Sequence, residues 1–286
     1  SSDASSHPPR DTLASSPIAI VGAGAVGTAL GRRLVERGYR VSAVLSRRLD
    51  PADRLARRLG ADVASTAPSD LPRETRFVFV CVPDDAIEDV AGALAAVSHP
   101  WAETFVAHTA GARPAAALAP LADAGAPLLS FHPMQTFTAD TPPAAFDGIV
   151  VGLEGNDEAV AVAEAMVRRL GARPVVLSSH EKTLYHGAAA LASNGLVALL
   201  ASVREVLDAA GIEGDDADAL LRPLIDQTWQ NLQQNTPEAA LTGPAARGDE
   251  GTVTAHLEAL SGATPHLLPL YAALTTEMVR TAVRGG

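Results

Sequence analysis

Between about residues 17 and 178, short runs of β-branched and aromatic residues alternate with stretches rich in Ala, Leu and Arg. The runs fall at 18–21, 41–45, 77–82, 104–107, 128–131, 149–151 and 174–177. Strand alternating with helix predicts an α/β fold whose doubly wound, largely parallel sheet is covered on both faces. After residue 178 the β-rich runs stop, and Ala/Leu-rich segments follow at roughly 179–210, 215–234, 249–261 and 265–283. These predict a smaller all-helical domain. The expected organisation is a tail over 1–16, a sheet domain over 17–178 and a helical domain over 179–286, without internal repeats.

Composition narrows the class. With 286 residues and 47% apolar content, the chain can fill the cores of two domains. Its one cysteine, Cys81, lies inside the third apolar run, so it reads as core and not as a nucleophile. No intramolecular disulfide is possible, and a reducing cytoplasm is the expected compartment. Residues 1–16 are rich in Ser, Pro and Asp and read as a disordered tail, without the apolar centre of a signal peptide. No uninterrupted apolar run reaches the roughly 20 residues a membrane helix needs, so no membrane is expected. The formal charge of −11 divides into −3 for residues 1–150 and −8 for the rest, which argues against nucleic acid as a partner. No metal site is expected.

The first run leads into Gly22-Ala-Gly24-Ala25-Val26-Gly27 and then a helical stretch. Between a strand and a helix, GxGxxG is a dinucleotide fingerprint. Gly22 permits the tight turn, Gly24 lets the backbone approach a pyrophosphate, and Gly27 lets the helix pack on the strand. Ala25 and Val26 open the helix, whose amino terminus supplies free N–H groups. About 20 residues on, where a NAD site offers Asp or Glu to the ribose, stands Ser46-Arg47-Arg48. A serine and two guanidiniums suit a 2′-phosphate, which favours NADP(H); the competing reading is a solvated arginine turn. Val82 and Pro83 follow the third run and should pass beside the cofactor at the carboxyl edge of the sheet. His108 and Thr109 occupy the same edge one strand later.

These runs, with Ser130-Phe-His-Pro-Met-Gln-Thr-Phe137 and Leu241-Thr-Gly-Pro-Ala-Ala-Arg-Gly-Asp249, resemble the Rossmann-like proteins that carry a helical C-terminal domain of unknown function. That family is similar to pyrroline-5-carboxylate reductase, ketopantoate reductase and the β-hydroxyacid dehydrogenases. The resemblance covers about residues 17–280. It implies NADP-linked hydride transfer to a small carbonyl or imine, a helical domain closing over the nicotinamide, and a homodimer built through that domain. It also implies a lysine near the start of the long helix with a polar residue one turn later, here Lys182 and His186. Asparagine is common at the second place, so His186 is a departure.

Lys182 is notable independently of that resemblance. Among the 22 basic residues it is the only lysine. A guanidinium stays protonated, whereas an ammonium in suitable surroundings loses and regains its proton near neutral pH. Ser178, followed three residues later by Glu181, reads as a capping box that starts the helix and puts Lys182 in its first turn. The field of the helix start opposes a cation there by about 0.3–1 kcal/mol and so lowers its pKa. His186 lies at i+4, Ala189 and Ala190 continue the face, and Ser193 returns to it with Asn194 on its flank. A face polar at both ends and small between can admit a compact substrate. The bland alternative is one lysine retained by chance in an arginine-biased chain.

Two further stretches complete the expected site. His132 and Gln135 sit in a polar turn that leaves a strand. Thr242 lies where Leu241-Thr-Gly-Pro244 breaks the helical domain, and Arg247 follows with Asp249 as an N-cap. The competing reading pairs Arg247 with Asp249 or Glu250. Together these residues predict an NADPH-dependent reductase in which Lys182 gives a proton to a small carbonyl substrate, a 2-oxo acid of ketopantoate type. The alternatives are a cyclic imine reductase and a non-catalytic NADP-binding sensor or scaffold.

Overall fold

The computed structural model describes residues 16–285, so all but the last residue of the expected tail lies outside the described residues. The chain runs β1 (Ile18–Val21), α1 (Ala25–Glu36), β2 (Val41–Leu45), α2 (Leu49–Leu59), β3 (Val63–Ser65), β4 (Phe77–Val80) and α3 (Ile87–Ala95). It continues through β5 (Phe105–His108), α4 (Ala119–Asp123), β6 (Leu128–Pro133), β7 (Val150–Gly155), α5 (Asp157–Arg169), β8 (Arg173–Val176) and α6 (Ser179–Ala190). The strands form one sheet of order 3-2-1-4-5-6-7-8. Strands β1 to β6 are mutually parallel, β7 is antiparallel to β6, and β8 is parallel to β7. All seven apolar runs overlap a strand. The eighth, β3, is a three-residue edge strand, too short to show a period.

Alternation along the strands divides the core into two layers. In β4, Phe77 and Phe79 enter the layer under α1, α2 and α5, while Val78 and Val80 enter the layer under α3 and α4. The phenylalanines pack at a centroid distance of 4.5 Å, and Phe131 of β6 meets Phe79 edge-on at 5.2 Å. One charged side chain, Arg33, is only 2% exposed in the first layer. Its Nε donates to the carbonyl of Leu170 at 2.7 Å, and its other nitrogens pair with Glu36 and Asp147. That satisfies the buried guanidinium and fastens α1 to the end of α5.

A π-helical turn, Leu191–Gly195, links α6 to α7 (Leu196–Ala209). Then come α8 (Gly214–Gln234), α9 (Pro237–Ala240), α10 (Pro244–Arg247), α11 (Glu250–Ala263) and α12 (Leu268–Gly285). The C-terminal part is helical, as the apolar pattern predicts. A π turn takes more residues per turn than an α-helix, so the face read through Lys182, His186 and Ala189 does not carry unbroken to Ser193 and Asn194. The chain divides into compact units between Ala190 and Leu191, twelve residues later than the expected boundary. The reason lies in α6, whose Lys182 and Tyr185 dock on the sheet and its loops.

Among the described residues the second unit buries only Ala217, Leu221 and Thr264. A cavity of about 370 Å³ lies between its helices, walled by Leu199, Val203, Leu260, Leu270 and Leu274. His256 also borders it, with Nδ1 2.7 Å from the hydroxyl of Tyr271. Within the helix Ser179–Ala209 one 18-residue stretch has a mean hydropathy of 1.4, long and apolar enough by length and composition alone to cross a membrane. Counting uninterrupted apolar runs overlooks it because Lys182, Ser193 and Asn194 punctuate it.

Candidate active site

The glycine loop follows directly from its sequence. Gly22 has φ +110°, and a Cβ there would stand 2.3 Å from the carbonyl oxygen of Cys81. A Cβ on Gly27 would meet the oxygen of Gly22 at 2.0 Å, so that glycine permits α1 to close on the loop. Gly24 differs: nothing lies within 4 Å of its Cβ position. It precedes the first turn of α1, which has neither a side-chain cap nor an acidic residue, so the N–H groups of Ala25 and Val26 remain for an outside acceptor. Open space before an uncapped helix start is a cradle that a pyrophosphate fits. Val82 packs against Gly22, and Pro83 is exposed beside it.

Gly22 N–H donates to the Leu45 carbonyl at 2.7 Å, which brings the Ser46-Arg47-Arg48 turn alongside the loop. Arg47 and Arg48 are exposed, and neither forms an ion pair with a described residue. Their guanidiniums are free for a phosphate ester, as a 2′-phosphate site requires.

One strand beyond β4, the segment after β5 meets α6. The capping box is formed: Ser178 N–H and its hydroxyl both donate to the Glu181 carboxylate at 2.8 Å, and Glu181 N–H donates to Ser178 Oγ at 3.3 Å. Lys182, in the turn so defined, is 1% exposed, and its Nζ donates to the Ala110 carbonyl at 3.1 Å. Burial pushes the ammonium down to about 8, partly offset by the charges of Glu154 and Asp84. Desolvation therefore acts in the direction the helix field also acts, and it is the leading cause.

Two imidazoles lean over Gly111. A Cβ there would lie 2.1 Å from His186 Cδ2, 2.7 Å from His186 Nε2 and 2.9 Å from His132 Nε2. The two rings are 5.7 Å apart, and Tyr185 meets His132 edge-on at 5.6 Å. Burial lowers His132 to about 4, with the charges of Lys182, His186 and His108 in the same direction, so it is neutral at pH 7. The first unit thus gathers Lys182, His186 and His132, all expected from sequence, around Gly111, the end of the His108-Thr-Ala-Gly111 run, and adds Tyr185 and Glu154, which the sequence does not single out. Tyr185 lies three residues after Lys182 and shares its helix face, a signal available beforehand.

The expected cofactor contacts of His108 and Thr109 need correction. His108 was assigned to the cofactor, but its side chain is 0% exposed and bonded on both nitrogens. Nδ1 accepts from Ala110 N–H at 3.2 Å, and Nε2 faces the Pro114 carbonyl at 3.0 Å, so it shapes the loop from inside. Burial lowers it to about 4. Thr109 is buried too, and its hydroxyl bonds to Cys81, whose thiol burial pushes up to about 12. Gln135 is exposed and accepts from Thr136 N–H at 2.9 Å, a local turn that no contact joins to the histidines. In the second unit Asn194, Thr242 and Arg247 are exposed. Asp249 caps α11 by accepting from Thr252 N–H at 3.1 Å, and Arg247 forms no ion pair with a described residue.

Residues 6–133 match the family model of the Rossmann-like domain, and residues 149–278 match that of a domain of unknown function, DUF2520. The chain therefore carries a Rossmann-like domain followed by a DUF2520 domain. The DUF2520 match takes in β7, α5, β8 and α6 as well as the later helices, so it begins inside the sheet. No curated protein matches the chain. Among solved structures it is similar to Bacteroides fragilis BF3122, provisionally described as an NADP oxidoreductase, at 27% identity over 94% of this chain and 99% of that one, with TM-score 0.74. Thermotoga maritima TM1727 is 26% identical over 93% and 98%, also with TM-score 0.74. The reductive aminase of Aspergillus terreus, solved with NADPH and ethyl-5-oxohexanoate, is 22% identical over 95% of each chain with TM-score 0.65, a likeness of fold alone.

Proposed function

We propose that this DUF2520 protein is an NADPH-dependent reductase of small carbonyl compounds, with Lys182 as proton donor. The observation that carries the reading is the only lysine of the chain, buried at the sheet edge that also holds the glycine loop, with Nζ on the Ala110 carbonyl. The open space at Gly24, the free Arg47 and Arg48, and the similarity to BF3122 support NADPH as the cofactor. When bound, it supplies the hydride. One N–H of Lys182 is spent on Ala110, which leaves two for a substrate oxygen. His132 and His186 border the same space, His132 as a neutral donor or acceptor. A cation beside a neutral imidazole suits a compact 2-oxo acid of ketopantoate type, whose carbonyl and carboxylate both need donors.

Because Lys182 sits near 8, it is protonated below that pH and neutral above it. Reduction should be flat below pH 8 and fall about tenfold per unit above it, while the reverse oxidation should rise through the same pH. The test is a screen of 2-oxo acids, aldehydes and cyclic imines with NADPH and NADH, followed by nicotinamide absorbance. The expected outcome is 2-oxo acid turnover with NADPH preferred, lowered about 10²- to 10⁴-fold by Lys182→Met. Imine turnover that survives Lys182→Met would support the cyclic imine reading instead. Cofactor binding without any turnover would leave a sensor or scaffold.

We also propose that a second copy covers the helical unit. Leu196, Val197, Leu224, Trp229, Met278 and Val283 are exposed there, on helices that bury very little within one chain.

A further inference from the structure

We propose that Glu154 is a positioning residue for Lys182, its carboxylate fastening the loop after β5 to the start of α6 while holding a negative charge near the ammonium. Glu154 lies on β7 opposite Ser130 of β6, which in turn lies opposite His108 of β5. From that row its two oxygens reach two different elements. Oε2 accepts from Ala115 N–H at 2.7 Å, at the far end of the loop. Oε1 accepts from Ser179 Oγ at 2.9 Å, one turn before Lys182.

The same loop carries Ala110, whose carbonyl receives Lys182 Nζ. His108 braces it internally through Ala110 N–H and the Pro114 carbonyl. One carboxylate therefore secures both partners of the Lys182–Ala110 contact, without forming an ion pair with the lysine. The charged and titratable groups around Lys182 are Glu154 and Asp84, which favour the ammonium, His108 and His132, which would oppose it if protonated, and Tyr185 and His186 on its own helix beside His132.

The inference rests on Lys182 as proton donor for its consequence on rate, but its test does not need turnover. Glu154→Gln keeps the fastening, since an amide oxygen can accept from Ala115 N–H and an amide N–H can donate to Ser179, yet it removes the charge. With lysine labelled by ¹³C and ¹⁵N, the full chain gives one lysine side-chain signal set to titrate by NMR. The expected result is a lower midpoint in Glu154→Gln at an unchanged melting temperature, with the high-pH limb of any reduction moving down in step. Glu154→Ala should in addition broaden or split the lysine signal as the contact loosens. A Glu154→Gln midpoint equal to the wild type, or a Glu154→Ala signal that stays sharp and unmoved, would overturn the proposal. Absence of reduction with an intact midpoint shift would overturn only the enzymatic reading.

Discussion

Burial decides what several side chains can do. His108 and His132 are both lowered to about 4, so on acidification the unfolded chain takes up protons near its ordinary pKa of about 6.5 while the folded chain does not. Stability from these two groups is complete above pH 6.5 and drains away as pH falls towards 4, by at most about 3 kcal/mol each. Urea unfolding at a series of pH values should show that slope, and it should flatten in His132→Gln. Lys182 was legible because a unique residue type coincided with a capping box. The inward turn of His108 was legible in principle, since it shares strand parity with Val106, but its place at the sheet edge suggested a ligand instead. Gln135 could not be resolved, because its side chain is captured by the adjacent backbone.

At the scale of elements, the glycine loop separates folding from binding. Gly22 and Gly27 are demanded by contacts within the protein, whereas Gly24 borders only open space. Gly24→Ala should therefore melt within about 0.5 kcal/mol of the wild type, as a surface change does, yet weaken NADPH binding measurably by calorimetry. Loss of stability without loss of affinity would contradict that division. Seven of eight strands were visible in the apolar pattern, but not the reversal of β7 and β8, because alternation reports which faces a strand buries and not its direction. The start of α6 was visible through its cap. Its attachment to the sheet was not, because that depends on where Nζ and the Tyr185 ring find partners.

For the whole molecule, the two halves are unequally self-sufficient. The sheet unit has two continuous cores, while the helical unit leaves Trp229 and many leucines uncovered. If a second copy supplies that cover, sedimentation should report a dimer, and Trp229→Arg with Leu224→Arg should lower its mass to one chain. A wild-type monomer at micromolar concentration would refute the arrangement. The compositional pattern revealed that the second half is helical and apolar, but not what it packs against, because helix periodicity identifies a face and not its occupant.

Position 111 shows how closely distant parts of the chain depend on one another. A Cβ at 111 would press on the ring tips of His132 and His186, so a ring would have to swing aside to admit it; the three residues come from the loop after β5, β6 and α6. Their sizes are therefore not independent choices. Among relatives, glycine at 111 should accompany rings at 132 and 186, and a bulkier residue at 111 should accompany a smaller one at either, so that the three positions drift through evolution as a single volume.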